Sequence, residues 1–362
     1  MPKKAFSKTK NTILLGAFPP PCGGIATFNK TLYSHLKSKG ILVWAGTTQK
    51  PTDPQITQFG SNYIKAIQIM FRDAKRATIL DSSGHLLEGP NKLLILIFLI
   101  LKPFLKFRII KVFHVGSLPS RFAKFSPSKK LFFHISTRLI DEYITVNREL
   151  CYWLVNDIKI KTKPTVISSL LPPIEEPSST DTPFPIKEEL SSYSHLITST
   201  GLFISNYGFK EIADAVESLR KSTKKNIGLI LIEGTVQNDS TYREKVIKKR
   251  DWIKVYTDIP QAQVISLLKA SNLFMRATTK ESYGLSKVES LWSGTPVLST
   301  NQGEVRGMTI IDKSNPNQVL QRIEAALNNS EPEKLEYYSQ IFKEEALINL
   351  NSYLQLLDLP NE

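Results

Sequence analysis

The segment Arg276 to Thr300, RATTKESYGLSKVESLWSGTPVLST, sets two glutamates, Glu281 and Glu289, eight positions apart around Tyr283 and Gly284. A carboxylate at the edge of an apolar helix stripe is costly unless it accepts hydrogen bonds, and vicinal sugar hydroxyls are suitable donors. A glycine opening a helix, here Gly284, bares backbone N–H groups, and the helix dipole favours a diphosphate there. The plainer alternative leaves Glu281 in solvent and pairs Glu289 with Lys287 or with a neighbouring helix. Gly23 and Gly24 are a second candidate anion site, between a buried-strand pattern and a helix, although such a pair also serves simply to turn the chain. His114 ends the apolar run KVFHVGS and reads either as a ligand-facing group or as a satisfied core histidine. His85, in DSSGHLL, holds a similar position, whereas His35, His134 and His195 read as ordinary structural residues. Lys210 and Arg306 are cations that could reach a diphosphate, and both are equally good surface residues.

The elements that must position these groups alternate along the chain. Asn11 to Ala17 is a buried-strand pattern, and Ile25, Phe28, Leu32 and Leu36 then recur at helical spacing until Gly40. Ala77 to Leu80, Ile109 to His114 and Glu142 to Val146 are further short β runs, so a parallel sheet covered by helices is expected. From Leu171 to Pro185 the sequence LPPIEEPSSTDTPFP has the composition of a linker. Strands are expected again at Leu196 to Ser199, Ile227 to Ile232, Ile253 to Tyr256 and Asn272 to Ala277. A helix lies between the first two, with Phe209, Ile212, Ala213, Val216 and Leu219 on one face. In the chemical segment a helix starts near Tyr283 and Gly284, with Leu285, Val288 and Trp292 toward the core, and ends at Gly294 before the strand Val297 to Ser299. The expected organisation is α/β: a first Rossmann-like domain over 1–174, a second over 175–340, and a C-terminal helix, 341–362, packing back toward the first. Two such halves face each other across a cleft, where ligands tend to lie.

Composition narrows the function classes. The length of 362 residues suits two domains. Two cysteines, Cys22 and Cys151, without a CxxC pair or a histidine cluster, argue against a disulfide framework or a structural zinc site. A net charge of +14 fits a polyanionic surface or phosphorylated ligand. The lysines are scattered, and neither a basic and aromatic stripe nor a zinc-finger spacing is present, so nucleic acid is not expected as a partner. The run Ile13 to Phe18 is too short for a secretion signal and stops at three prolines. Leu93 to Leu101 is about half the length that spans a bilayer, and continues into a basic and apolar stretch through Lys111 that reads as a buried helix or strand, or as a membrane-surface contact. There is no P-loop, no D-x-D pair on a loop and no carboxylate pair arranged for hydrolysis.

The chemical segment resembles the large family of retaining GT-B glycosyltransferases often called family 4 or group 1. That family carries R-P-[ST]-x-x-E-x-[FY]-G-[LM]-x-x-x-E followed by a G-x-P-V turn. Arg276, Thr278, Glu281, Tyr283, Gly284, Leu285, Glu289, Gly294, Pro296 and Val297 stand in register, with Ala277 replacing the proline. The family's opening strand, P-x-x-G-G loop and helix match Ile13 to Ala17, Pro20 to Gly24 and Ile25 onward. Its strand-end histidine matches His114. The resemblance implies a donor bound as a nucleotide-diphosphate sugar, with Glu281 on the transferred sugar, Glu289 on the ribose, and the amides of Gly284 to Ser286 on the diphosphate. It implies that His114 lies near the reacting carbon, that the anomeric configuration is retained, and that no metal or other cofactor is needed. One departure stands out: the family's G-R-L strand end and K-G pair, whose cations grip the diphosphate, read here as Gly201-Leu202-Phe203 and Tyr207-Gly208. Lys210 and Arg306 are the substitutes to consider. The acceptor implied is a saccharide, and the basic surface and the Leu93 to Lys111 stretch point to a lipid-linked one at the cytoplasmic face of an anionic membrane, as in surface polysaccharide or lipopolysaccharide assembly. A silent nucleotide-sugar-binding module and a nucleotide-sugar epimerase of the same fold are the alternatives.

Overall fold

The computed structural model describes residues 12–20, 22–38, 43–47, 53–58, 68, 71–72, 74–75, 77–83, 91–173, 190–234, 239–329 and 331–359. Pro21, Gly40, His85, linker residues 174–185 and the expected boundary between 174 and 175 lie outside them. Two compact units are formed, one from residues 1–20, 25–174 and 349–362, the other from residues 21–24 and 175–348.

The first unit runs β1 (Thr12–Leu15), α1 (Gly24–Ser38), β2 (Val43–Thr47), β3 (Ile56–Gln58), β4 (Thr78–Asp81), α2 (Asn91–Leu105), β5 (Arg108–Phe113), α3 (Leu118–Ala123), α4 (Pro127–Thr137), β6 (Glu142–Thr145), α5 (Arg148–Asn156) and β7 (Thr165–Val166). The sheet order is β3-β2-β1-β4-β5-β6-β7. Every described pairing is parallel, with Leu15 opposite Asp81 and Asp81 opposite Lys111. Strands buried on both faces must be apolar throughout, and Ile13, Ile79, Ile110 and Ile144 are fully buried at the sheet centre. Phe28, Phe133, Trp153 and Tyr353 close the core around them. The apolar run around Leu93 is the helix α2, in part buried as the first expected reading had it. Ile97, Leu101 and Leu105 face the core, while Leu96, Ile100 and Phe104, at four-residue spacing, stand 43%, 64% and 75% exposed. No helix among the described residues is long and apolar enough to cross a membrane.

The second unit contains β8 (His195–Gly201), a 3₁₀ turn at Ser205–Tyr207, α6 (Phe209–Thr223), β9 (Ile227–Glu233), α7 (Ser240–Ile247), β10 (Ile253–Thr257), α8 (Gln261–Ala270), β11 (Leu273–Arg276), α9 (Leu285–Trp292), β12 (Val297–Ser299), β13 (Thr309–Ile310), α10 (Pro316–Asn328) and α11 (Pro332–Leu356). Its sheet is again parallel, in the order β10-β9-β8-β11-β12-β13. All seven residues of β9 are buried, which is why IGLILIE shows no alternation. The division expected at 340/341 falls inside α11, an uninterrupted helix; Ile348 closes the second unit and Asn349 returns to the first.

In each sheet the chain reverses its winding once, between β1 and β4 and between β8 and β11. Ligands of open parallel sheets gather outside the carboxyl ends of the strands at such a reversal. Arg276 ends β11, and Gly201 ends β8.

Candidate functional site

The site in the second unit starts from Gly284. It sits at φ 86°, a left-handed conformation open to glycine, and caps α9 without a side-chain hydrogen bond. A methyl group there would lie 2.3 Å from the Lys287 Cε and 3.0 Å from the Glu281 carboxyl carbon. The first-turn amides, including those of Leu285 and Ser286, lie at a helix start of the kind that can accept a phosphate.

Glu281 is not in solvent. The Arg276 guanidinium closes on both of its oxygens, with Nε 3.1 Å from Oε2, and the Thr278 hydroxyl donates to Oε2 at 3.2 Å. Both side chains of this pair are 9% exposed. Burial pushes the Glu281 carboxyl up, but the Arg276 charge and hydrogen bonds, with Lys287 and Thr278, hold it below the usual carboxylate range. Arg276 also donates to the Thr200 carbonyl and, at 3.0 Å, to its hydroxyl, and lies over the Tyr207 ring at 4.8 Å. Thr200 in turn donates to Ser286 Oγ at 2.8 Å. A single network thus joins the end of β8, the end of β11 and the start of α9.

Glu289 lies within α9, and its partner is Gln261 at the start of α8, whose side-chain amide donates to Oε1 at 2.6 Å. Burial raises the Glu289 carboxyl, and the Gln261 bond opposes this in part. Of the two partners expected for Glu289 if its role is structural, Lys287 is not used and a neighbouring helix is, through Gln261. Lys287 turns inward, 0% exposed, and the buried stripe of α9 is Lys287, Val288, Ser290 and Leu291, with Leu285 and Trp292 half-buried. The core face is rotated by about one position from the expected one because the lysine lies under Gly284, where no Cβ blocks it.

The two candidate cations are already engaged. Lys210 holds Asp214 at 2.6 Å on the solvent face of α6. Arg306 holds Glu304 and Glu345, each at 2.6 Å, over the Phe342 ring. Tyr283 donates its hydroxyl to Glu345 at 3.2 Å, and its carbonyl accepts from the Glu304 amide at 2.8 Å, so the loop after β12 is tied to the Glu281 loop. Gly303 is necessary to that contact: at φ 66°, a Cβ would lie 2.6 Å from the Tyr283 carbonyl oxygen. Beside the loop, a hollow of ≈ 400 Å³ is lined by Thr278, Thr300, Gln302, Ile310, Asp312 and Lys313.

In the first unit, His114 follows β5 and is 6% exposed. Its Nδ1 pairs with Ser169 Oγ at 3.2 Å, its ring packs on Phe28 at 4.8 Å, and its Nε2 has no partner. Burial, reinforced by the Lys111 charge, drives the imidazole down to about 3, so it is neutral at pH 7. Lys111 is itself buried against Asp81 at 3.0 Å and Ser83. Gly23 and Gly24 are exposed, and a Cβ on either would meet no atom within 4 Å. Their openness is compatible with a ligand's approach and is not imposed by packing. Of the other histidines, His35 meets the Pro172 carbonyl at 2.7 Å, and His195 meets Ser194.

Of the residues singled out in the sequence, Glu281, Tyr283, Gly284, Leu285, Ser286 and Glu289 lie on α9 and the loop before it. Sequence reasoning missed Thr200 and Gln261 as partners, and it gave Arg276 and Lys287 no chemical task. An arginine at a strand end, five residues before the loop carboxylate Glu281, was the available signal for the first of these cations.

Residues 184–343 match the family model described as Glycosyl transferases group 1. A trehalose synthase from Pyrococcus horikoshii is 28% identical over 109 residues, which cover 27% of this chain and 26% of that protein, so the match spans about a quarter of the relative. Among solved structures, a sucrose-phosphate synthase from Thermosynechococcus elongatus is similar with a TM-score of 0.72 at 14% identity, over 96% of this chain and 99% of that one. A glycosyltransferase from Rickettsia africae gives 0.71 at 14% identity, over 96% and 98%. Anabaena HepE in complex with UDP-glucose gives 0.71 at 11% identity, over 96% and 99%. The fold is GT-B.

Proposed function

Taking the group 1 glycosyl transferase domain of residues 184–343 as premise, we propose that the chain moves a sugar from a nucleoside-diphosphate sugar to an acceptor hydroxyl. The observation that carries this reading is the joint layout at α9: an open helix start at Gly284, a carboxylate pinned in front of it by Arg276, and a half-buried carboxylate further along the helix beside Gln261. In this assignment the α9 amides, with Tyr283, Leu285 and Ser286 around them, take the diphosphate; Glu289 accepts from the ribose hydroxyls; Glu281 accepts from a hydroxyl of the transferred sugar. Three hydrogen bonds to the Glu281 oxygens fix its direction and leave it room for one more. In the transfer, the bond from the anomeric carbon to the diphosphate oxygen breaks and the diphosphate leaves with the electron pair. The acceptor oxygen bonds to that carbon and its proton passes to the departing phosphate. Preorganised dipoles and cations stabilise the leaving charge without a metal. His114, neutral and with its buried Nε2 unpartnered, suits a sugar hydroxyl or a phosphate oxygen, and Gly23 and Gly24 leave the backbone open to an anion. Retention of configuration follows from the resemblance.

For the acceptor we infer a lipid-linked saccharide at the cytoplasmic face of an anionic membrane, as in surface polysaccharide assembly. The support is the exposed Leu96, Ile100 and Phe104 stripe on a chain of net charge +14. The sucrose-phosphate synthase neighbour, by its name, makes a sugar phosphate, and a soluble acceptor is the outcome that absence of vesicle binding would favour. A second reading, a silent GT-B module, rests on Lys210 and Arg306 being paired with carboxylates; an epimerase would release an isomerised donor. Calorimetry with UDP, GDP, ADP and their sugar conjugates tests the donor site. One nucleotide family should bind, and Glu289→Ala should weaken it by about tenfold or more, the worth of roughly one charge-assisted hydrogen bond. Binding of none, or binding indifferent to Glu289, would overturn the reading, and donor hydrolysis without acceptor would remove the silent module.

A further inference from the structure

A lysine with no exposed surface needs a reason, because desolvating an ammonium is costly unless carbonyls or carboxylates surround it. Lys287 has such a surrounding. Its Nζ donates to the carbonyls of Gln302 and Glu304, the latter at 2.7 Å, and lies 3.9 Å from Glu281 Oε2. The stem passes directly beneath Gly284, where the Lys287 Cε is 2.3 Å from the position of a glycine Cβ. The ammonium therefore sits inside the turn whose amides open toward a ligand, among Arg276 from β11, Glu281 from the following loop and Glu304 from the loop after β12. Glu304 is itself held by Arg306. Arg276 pairs with Glu281 at contact distance, Arg306 is shared between Glu304 and Glu345, and Lys287 is the cation lying beneath the turn.

We propose that Lys287 is a positioning residue for the donor's diphosphate: its ammonium places a positive charge beneath Gly284 at the α9 N-terminus and ties the Gln302 to Glu304 loop to that turn. The proposal rests on the donor-site reading above. A diphosphate needs opposing charge when its bond to the sugar breaks, and the solvent-facing cations Lys210 and Arg306 are already paired. A fixed charge under the nest requires no reorganisation on binding. Burial drives the Lys287 ammonium down to about 8, with Glu281 and Glu304 acting against burial and Arg276 acting with it. The sign of the pH effect follows: the cation is present below that value and is lost above it, so diphosphate affinity weakens as pH rises through about 8.

The test is calorimetric binding of UDP, GDP and ADP, and of the matching uncharged nucleosides, to wild type and Lys287→Met at pH 6.5 to 9.5, with circular dichroism to check the fold. For the nucleotide that binds, the variant should lose roughly tenfold or more at pH 7, while the bare nucleoside should change by less than about threefold, because the effect is one of charge on phosphate. Wild-type affinity for the diphosphate should also fall above pH 8, a step the variant lacks; this arm needs no variant to fold. Equal loss for nucleoside and diphosphate, or the same pH slope in both proteins, would overturn the role of Lys287 while leaving the donor site intact. If wild type binds no nucleoside diphosphate, the donor-site reading itself falls, and this inference with it.

Discussion

Removing the Arg276 guanidinium should destabilise the second unit far more than a surface arginine would, and the loss should depend on Glu281. In Arg276→Met the carboxylate, 9% exposed, keeps the Thr278 hydroxyl at 3.2 Å and the Lys287 ammonium at 3.9 Å but loses its contact cation. Leaving one member of a buried pair unpartnered costs about 3–5 kcal/mol, and the contact with Tyr207 adds roughly 0.5–1 kcal/mol. Glu281→Gln keeps a neutral acceptor and leaves Arg276 on Thr200, so about 1.5–3 kcal/mol is expected. The double variant leaves no buried carboxylate without its cation, and should fall short of the sum by about 2 kcal/mol. The assay is urea unfolding followed by tryptophan fluorescence in a background with Trp44 and Trp153 changed to Phe, so that Trp252 and Trp292 report on the second unit alone. Additivity within about 0.5 kcal/mol would refute the view that Arg276 fixes Glu281 through a coupled ion pair.

Two further outcomes are expected. His114 is held near 3 against an ordinary 6.5, so the unfolded chain binds its proton first; the resulting stability is complete above about 6.5 and falls as pH drops toward 3, by roughly 1.4 kcal/mol per unit. Urea titrations of wild type and His114→Asn between pH 4 and 7.5 should show a shallower slope in the variant, and equal slopes would mean that His114 charges freely in the fold. On the membrane side, Ile100→Glu with Phe104→Glu should abolish sedimentation with anionic vesicles at physiological salt while nucleotide binding is unchanged; undiminished sedimentation would exclude α2 as the contact.

The sequence by itself determined the strand and helix alternation, since buried parallel strands such as IGLILIE must be apolar on both faces and helices must repeat their apolar face. It also determined the opening of α9, because Gly284 is required by local backbone geometry and its neighbours by spacing. Short edge strands such as β7 and β13 were not legible, since two residues carry no period. Which charges would be buried was decided by tertiary structure alone. Lys287, Lys111 and Arg276 look like solvent residues in one dimension, and their tolerance inside the fold depends on carbonyls and carboxylates brought from 287 to 302 and 304, from 111 to 81 and 83, and from 276 to 200 and 281. The same holds for Glu289, whose partner came from α8 and not from its own helix. A buried charge is stabilised by neighbours distant in sequence, so neither its position nor its ionisation can be read from local pattern.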